Sequence, residues 1–312
     1  DARIVPYGKL AFDAASTVYH YATEIFEGLK AYRTPDGAVQ LFRPIENVRR
    51  MNNSAERMSL PQMDEDMMLE ALLKFVSVEK DWVPDKPGTS LYLRPFLVAV
   101  DPCLSLHPVH QCVFCIIACP VGSYFPNGLK PVPILIEEQD VRAVRGGTGY
   151  AKCGGNYAGA MRASDRAEAK GFSQVLWIDG VERKYVEEAG GMNVMFQING
   201  EIVTPELNGS VLPGITRKSC IEVMRGWGMK VTERLLSLDE LLEACKTGAL
   251  EEAWCCGTAA VIAPIGELAY GDDHYIVNNN QIGKTTRRLY DEVTGIQWGL
   301  LPDKYNWTVA VK

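Results

Sequence analysis

The side chain of this 312-residue chain that most invites a chemical reading is Lys152, set in Gly146-Gly147-Thr148-Gly149-Tyr150-Ala151-Lys152-Cys153-Gly154-Gly155-Asn156-Tyr157. A primary amine attacks carbonyl carbon when its surroundings keep it unprotonated. Five glycines between positions 146 and 155 cost backbone entropy, which sequences tolerate where the chain turns tightly or a ligand approaches the backbone. Two familiar glycine-rich sites do not match. A Walker phosphate loop ends in Gly-Lys-Ser or Gly-Lys-Thr, whereas Lys152 lies between Ala151 and Cys153, with no hydroxyl for magnesium. A dinucleotide fingerprint beginning Gly147-Thr148-Gly149 would need a third glycine where Lys152 stands.

Other segments carry charge in patterns that matter. Glu187 and Glu188 are neighbours, and adjacent side chains on an extended segment point to opposite faces, so one of the pair faces any given site. Residue pattern alone leaves that choice open, and both also suit a surface turn. Pro213-Gly214-Ile215-Thr216 opens a helix with Cys220, Val223, Met224 and Trp227 on its buried side, so its first amides can face an anion; any capped helix start looks similar. His107, His110, Cys112 and Cys115 have a spacing that suggests a metal site. Residues 111–120 read as a buried strand, however, where side chains three apart face opposite sides, so no metal is expected there.

Lys152-Cys153-Gly154-Gly155-Asn156-Tyr157 resembles the cofactor-lysine segment of branched-chain amino acid aminotransferases, which are fold-type IV pyridoxal-phosphate enzymes. The likeness covers nearly the whole chain. Phe26-Glu27-Gly28-Leu29-Lys30, Leu91-Tyr92-Leu93-Arg94-Pro95, Gly122-Ser123-Tyr124-Phe125-Pro126, Glu188-Ala189-Gly190-Gly191-Met192-Asn193, Leu212-Pro213-Gly214-Ile215-Thr216-Arg217 and Gly257-Thr258-Ala259 follow in the family's order. The resemblance implies a two-domain α/β (α+β) fold with pyridoxal 5′-phosphate at the domain interface. It also implies reversible amino transfer between L-leucine, L-isoleucine or L-valine and 2-oxoglutarate.

By the same resemblance, Lys152 bonds the cofactor aldehyde and, once released, moves a proton on the substrate. Glu188 keeps the pyridine nitrogen protonated, Tyr157 hydrogen-bonds the phenolic oxygen, and Arg50, Ile215, Thr216 and Thr258 hold the phosphate, while neighbouring Arg49 faces elsewhere on its helix. Tyr21, Phe26, Tyr92 and Tyr124 match aromatic walls of the side-chain pocket, although single aromatics are more often core. Arg94 matches the arginine that receives the second carboxylate of glutamate, and Thr258 and Ala259 match the group that takes the α-carboxylate. Leu104 and Leu106 match positions lent to a neighbouring subunit's pocket, with Tyr21 also at that interface, so a homodimer is implied.

Two departures stand out. Ala260 and Ala263 occupy the places of a Cys-x-x-Cys redox pair found in some animal members, so no such switch is expected, and Cys255-Cys256 is no substitute. Gly191 stands where some members have threonine, which weakens one hydrogen bond around the ring. A D-amino acid aminotransferase or aminodeoxychorismate lyase of the same fold is the nearest rival, and a nucleotide-binding protein is a rival of another class. Tyr92-x-Arg94, the long N-terminal half and Glu188-Ala189-Gly190-Gly191-Met192-Asn193 favour the branched-chain enzyme.

Periodicity names the elements that must position these residues. Strand patterns are expected over 18–33 and 37–42, followed by helices from Pro44 and over 65–80, then strands over 90–100 and 112–119. The stretch 122–132, with Pro126, Asn127, Gly128 and Pro131, reads as a connection. Strands over 133–137, 174–178, 193–198 and 253–256 then interleave with helices over 156–170, 215–227 and 238–246, the last opened by the Ser237 and Glu240 capping pattern and stopped at Gly248. The expected division is therefore an N-terminal α+β domain over 1–124, a loop over 125–132 and a large cofactor-binding domain over 133–312.

Composition narrows the class. A hydrophobic content of 47% with 23% charged residues suits a globular chain with a sizeable core. A formal charge of -7 disfavours a general nucleic-acid partner, and no apolar run reaches the roughly 18 residues of a membrane span. With no signal peptide visible after Asp1 and nine cysteines read as reduced thiols, a cytoplasmic protein is expected.

Overall fold

The computed structural model describes residues 2–125 and 128–312; Asp1, and Pro126 and Asn127 of the expected connection, lie outside the described residues. The elements run α1 (Thr17–Tyr21), β1 (Glu24–Phe26), β2 (Leu29–Arg33), β3 (Val39–Phe42), α2 (Pro44–Arg57), α3 (Glu65–Val78), β4 (Ser90–Ala99) and β5 (Cys112–Val121). Then follow β6 (Val132–Ile136), α4 (Gly154–Ala169), β7 (Gln174–Ile178), β8 (Val186–Ala189), β9 (Met192–Ile198), β10 (Glu201–Pro205), α5 (Ile215–Gly226) and β11 (Val231–Arg234). The last are α6 (Leu238–Thr247), β12 (Leu250–Gly257), β13 (Val261–Tyr270), β14 (Asp273–Ile276), α7 (Lys284–Gln297) and β15 (Thr308–Val311).

The chain forms two compact units. The first takes the residues up to Ser123, with Ala151–Gly155 and Gly295–Lys312; the second takes Tyr124–Tyr150 and Asn156–Thr294. The division expected from sequence has a single connection at 125–132, whereas the structure returns 151–155 and the C-terminal tail to the first unit. The physical reason is pairing: β15 adds to β3 as an edge strand, and Cys153 bridges to Ile25.

In the first unit an antiparallel sheet runs β1-β4-β2-β3-β15, with β5 beside β4. Leu91, Leu93 and Leu97 of β4 join Leu29, Ala31 and Leu41 against Val48, Met51 and Ala55 of α2 and Met68, Leu72 and Val76 of α3. The helix residues recur at intervals of three and four and the strand residues at two, so each element turns one stripe inward. Burying each large aliphatic side chain stabilises by about 1.5–3 kcal/mol. The alternate residues of β4, Tyr92, Arg94 and Phe96, are only half-buried, on the opposite face.

In the second unit β11-β10-β9-β12-β13-β6-β7-β8 is the order, β14 pairs β13, and β8 also pairs β9, so β9, β12, β13, β6, β7 and β8 close a circuit. Alternation divides β6 and β7. Ile134, Ile136, Leu176 and Ile178 join the large core, while Leu135, Val175 and Trp177 pack on Ala163 and Ala167 of α4. At α6, Ser237 accepts a hydrogen bond from the Glu240 amide at 3.1 Å and Gly248 ends the helix in the left-handed conformation.

Several elements differ from the sequence reading. Residues 17–21 make one helical turn rather than a strand, closed by Ala22 at φ 49. β5 is not a buried strand, since its residues are half-buried or exposed along its length. Strands β8, β10, β11, β13, β14 and β15 and helix α7 lie outside that reading. Short strands such as β10, Glu201-Ile202-Val203-Thr204-Pro205, are too brief for periodicity to register, and pairing with neighbours forms them.

Candidate active site

In the first unit the lysine is held by its main chain. The Lys152 amide donates to Ser54 Oγ at 2.9 Å, and the Phe26 amide donates to the Lys152 carbonyl at 3.0 Å. Ala151 and Cys153 on either side are buried in the core, at 1% and 2% exposure. The side chain then runs out over Phe26, with Nζ 4.8 Å from the ring centroid. The glycines around it serve close approach. A Cβ on Gly154 would lie 2.1 Å from Glu24 Oε1, and one on Gly149 would lie 2.2 Å from the Ser210 carbonyl oxygen.

The three residues Phe26, Glu27 and Gly28 organise what surrounds the lysine. Glu27 is buried and accepts from Arg50 Nε at 2.8 Å and Arg50 Nη2 at 2.7 Å, from Asn47 Nδ2 at 2.8 Å and from the Gly28 amide at 3.2 Å. Its carbonyl accepts from Arg94 Nε at 3.0 Å. Arg94 Nη2 donates to the Tyr92 hydroxyl at 2.9 Å, and its guanidinium stacks 4.6 Å from the Phe26 centroid. A Cβ on Gly28 would meet that hydroxyl at 2.2 Å, so only glycine leaves room for it.

Arg49 and Arg50 are separated by α2 itself. Arg50 is 6% exposed, whereas the Arg49 side chain is 57% exposed and pairs at the surface with Glu65. Tyr21 donates to the Leu104 carbonyl, and both Leu104 and Leu106 are exposed. Lys30 lies opposite Tyr92 in the ladder, and burial lowers its amine to about 8.

The second unit carries Tyr124, Tyr157, Glu188, Ile215, Thr216, Thr258 and Ala259. Here the adjacent glutamates part company, although both are 2% exposed and neither is a surface carboxylate. Glu188 Oε2 pairs with Arg142 Nε at 2.8 Å, and Oε1 accepts from Asn193 Nδ2 at 3.0 Å and the Leu212 amide at 2.8 Å. Glu187 accepts from the Ser210 hydroxyl instead, and burial pushes its carboxyl up. Glu188 and Tyr157 line one cavity of about 190 Å³ with Arg142, Asn156, Gly191 and Leu212. A side chain at Gly191 would stand 3.6 Å from Tyr157 Cε1, within ordinary contact.

A helix start adjoins the carboxylate's supports. Asn193 Nδ2 also donates to the Leu212 carbonyl at 2.9 Å, and its Oδ1 occupies the space a Cβ on Gly214 would need, 1.9 Å away. Gly214 is the N-cap of α5 and offers no side chain to its first amides, so Ile215 and Thr216 begin the helix with N–H groups suited to an anion. Thr258 and Ala259 lie in the turn between β12 and β13. That turn ends at Val261 with φ 60, a left-handed conformation that costs a β-branched residue about 1–3 kcal/mol. Tyr124 is 50% exposed and packs edge-on to Phe125 at 4.9 Å.

The structure thus adds Glu27, Arg142 and Asn193 to the charged and polar groups of interest. Glu27 and Asn193 stood inside recognised motifs without a role, and Arg142 had no signal at all, since its partner is supplied by folding. Among the described residues no group of three or more His, Cys, Asp or Glu is placed to hold a metal ion.

Comparison with known proteins adds an independent line. The model of the family described as amino-transferase class IV matches residues 24–268. Branched-chain-amino-acid aminotransferase 2 of Bacillus subtilis (strain 168) is 52% identical over 100% of this chain and 86% of its own length. The T.th. branched-chain amino acid aminotransferase, solved with pyridoxamine 5′-phosphate, is 26% identical with a TM-score of 0.85, covering 99% of this chain and 96% of that one. The same enzyme complexed with N-(5′-phosphopyridoxyl)-L-glutamate matches with 26% identity and a TM-score of 0.83 over 99% and 96% of the two chains. The chain belongs to the class IV aminotransferases and, among them, to the branched-chain-amino-acid aminotransferases.

Proposed function

We propose that the chain transfers amino groups between L-leucine, L-isoleucine or L-valine and 2-oxoglutarate with pyridoxal 5′-phosphate, held by Lys152, Arg50, Tyr157, Glu188, Ile215, Thr216 and Thr258. The donor set suits that group: an amine for an aldehyde, an arginine and helix-start amides for a phosphate, a buried carboxylate for a pyridinium and a phenol for the ring oxygen. When bound, the cofactor supplies an electron-withdrawing ring that stabilises negative charge at the substrate α-carbon.

The protein's own part is to position and to move a proton. Lys152, anchored through both main-chain groups, is the base that takes the α-proton and the acid that returns it. Glu188, held in place by its ion pair with Arg142, suits a cation as its partner. Phe26, Tyr92, Tyr21 and Tyr124 suit an apolar branched side chain, Arg94 suits the distal carboxylate of glutamate, and Thr258 and Ala259 suit the α-carboxylate. The phosphopyridoxyl-glutamate complex of a relative supports glutamate as the second amino acid. Exposed Leu104 and Leu106, with Tyr21 bonded to Leu104, support a homodimer in which this segment meets a neighbour. Nine free cysteines among the described residues support a reducing, cytoplasmic setting, and no helix there is long and apolar enough to cross a membrane.

The observation that carries the reading is the anchoring of Lys152 with its amine over Phe26. Borohydride reduction followed by peptide mapping tests it: the label is expected on Lys152 and absent from Lys152→Ala, and a label on any other lysine overturns it. Activity with L-leucine and none with D-alanine is the expected substrate result.

A further inference from the structure

We infer that Glu27 is the positioning residue for both arginines of the first unit, orienting Arg50 through its carboxylate and Arg94 through its main-chain oxygen. The inference rests on the cofactor reading above and deepens it. Glu27 is 1% exposed, and each of its side-chain oxygens receives a donor from Arg50 in a two-bond fork. Asn47 and the Gly28 amide complete the shell on Oε2, so the carboxylate is fixed before it fixes anything else. A buried guanidinium without a counter-charge is strongly disfavoured, and here the counter-charge also commits the Nε and Nη2 edge. Any other anion must then meet Arg50 in the orientation that this fork fixes.

The backbone carries the second half of the device. The Glu27 amide donates to the Pro95 carbonyl at 2.8 Å while its carbonyl takes Arg94 Nε, which ties the residue to β4 on both sides. The main chain that places the Glu27 carboxylate therefore also sets where Arg94 rests. Disturbing this one residue loosens both arginines at once.

Full-length protein stripped of cofactor is titrated with pyridoxal 5′-phosphate and, separately, with pyridoxal, which has no phosphate. For Glu27→Gln we expect at least a tenfold loss of affinity for the phosphorylated ligand and less than a twofold change for pyridoxal. The double variant with Arg50→Gln should lose no more than Arg50→Gln alone, and KM for 2-oxoglutarate should rise more than KM for L-leucine. Asn47→Ser, which removes only one support of the carboxylate, should show the same phosphate-selective loss on a smaller scale, about threefold, and serves if Glu27→Gln fails to fold. Equal loss for both ligands, as general damage would give, overturns the inference. So does unchanged or tighter binding of the phosphorylated ligand, as expected if Glu27 merely competes for Arg50. If the unaltered protein binds neither ligand, the cofactor reading itself fails, and this inference with it.

Discussion

An arginine and glutamate pair is buried in each compact unit, and the two pairs are proposed to work in opposite senses. In the first unit Arg50 is the proposed ligand for an anion and Glu27 supports it; in the second Glu188 is the proposed partner of a cation and Arg142 supports it. Both pairs are almost wholly buried, at 7% and 1% exposure for one and 7% and 3% for the other. Desolvation makes such pairs poor sources of stability compared with well-packed apolar groups. Their value lies in presenting one charge in a fixed direction, which requires a partner on the far side and hydrogen bonds to fill the remaining lone pairs. Asn47 does this for Glu27 and Asn193 for Glu188.

The largest expected effect on this comparison comes from Arg142→Met. It strands a buried carboxylate, and urea unfolding should show a loss of about 3–5 kcal/mol. A loss below about 1 kcal/mol would mean that Asn193 and the Leu212 amide suffice, and that the two pairs are not equivalent. Glu188→Gln should be milder in stability, because Arg142 Nη2 keeps the carbonyls of Gly149 and Ser210. Its transamination rate with L-leucine should nevertheless fall on the order of a hundredfold, the usual scale for removing one charge that faces the reacting system.

Lys30 sharpens the contrast from the other direction, as a buried cation that burial lowers to about 8 from 10.5. Between those values the unfolded chain binds more protons than the folded one, so stability rises with pH across that window. Lys30→Met should therefore stabilise the protein at about pH 7, and the advantage should shrink as pH climbs from 8 to 10.5. Urea midpoints below, within and at the top of that window measure it, and an advantage that does not change with pH would point to packing instead. The smallest effect is expected at the surface. Arg49→Ala breaks an exposed pair with Glu65 and should cost less than about 0.5 kcal/mol, with unchanged cofactor affinity.

Much of the skeleton was legible in residue order. The Pro44 start with Val48, Met51 and Ala55, the Ser237 cap and the strand at 174–178 all rest on local rules of sterics and spacing. The turn at 17–21 was misread because Val18, Tyr19 and Tyr21 favour strands, whereas the αL residue Ala22 closes a helical turn there. The expected division of the chain differs from the two compact units for another reason. Whether 151–155 and 295–312 belong with the first half depends on strand pairing with residues far away in sequence.

Sequence by itself determined the chemical inventory: a lysine among glycines, paired arginines, paired glutamates and a glycine-led helix start, since residue type and short spacing are properties of neighbours. Tertiary structure alone decided that Arg50 is buried while Arg49 stays at the surface, and that Glu187 and Glu188, both buried, meet different partners, because a helix and a strand send adjacent side chains apart while only the packed core defines what each then meets. It alone also supplied the counter-charges Glu27 and Arg142. A buried charge must find its partner wherever folding brings one, and no local pattern records that meeting.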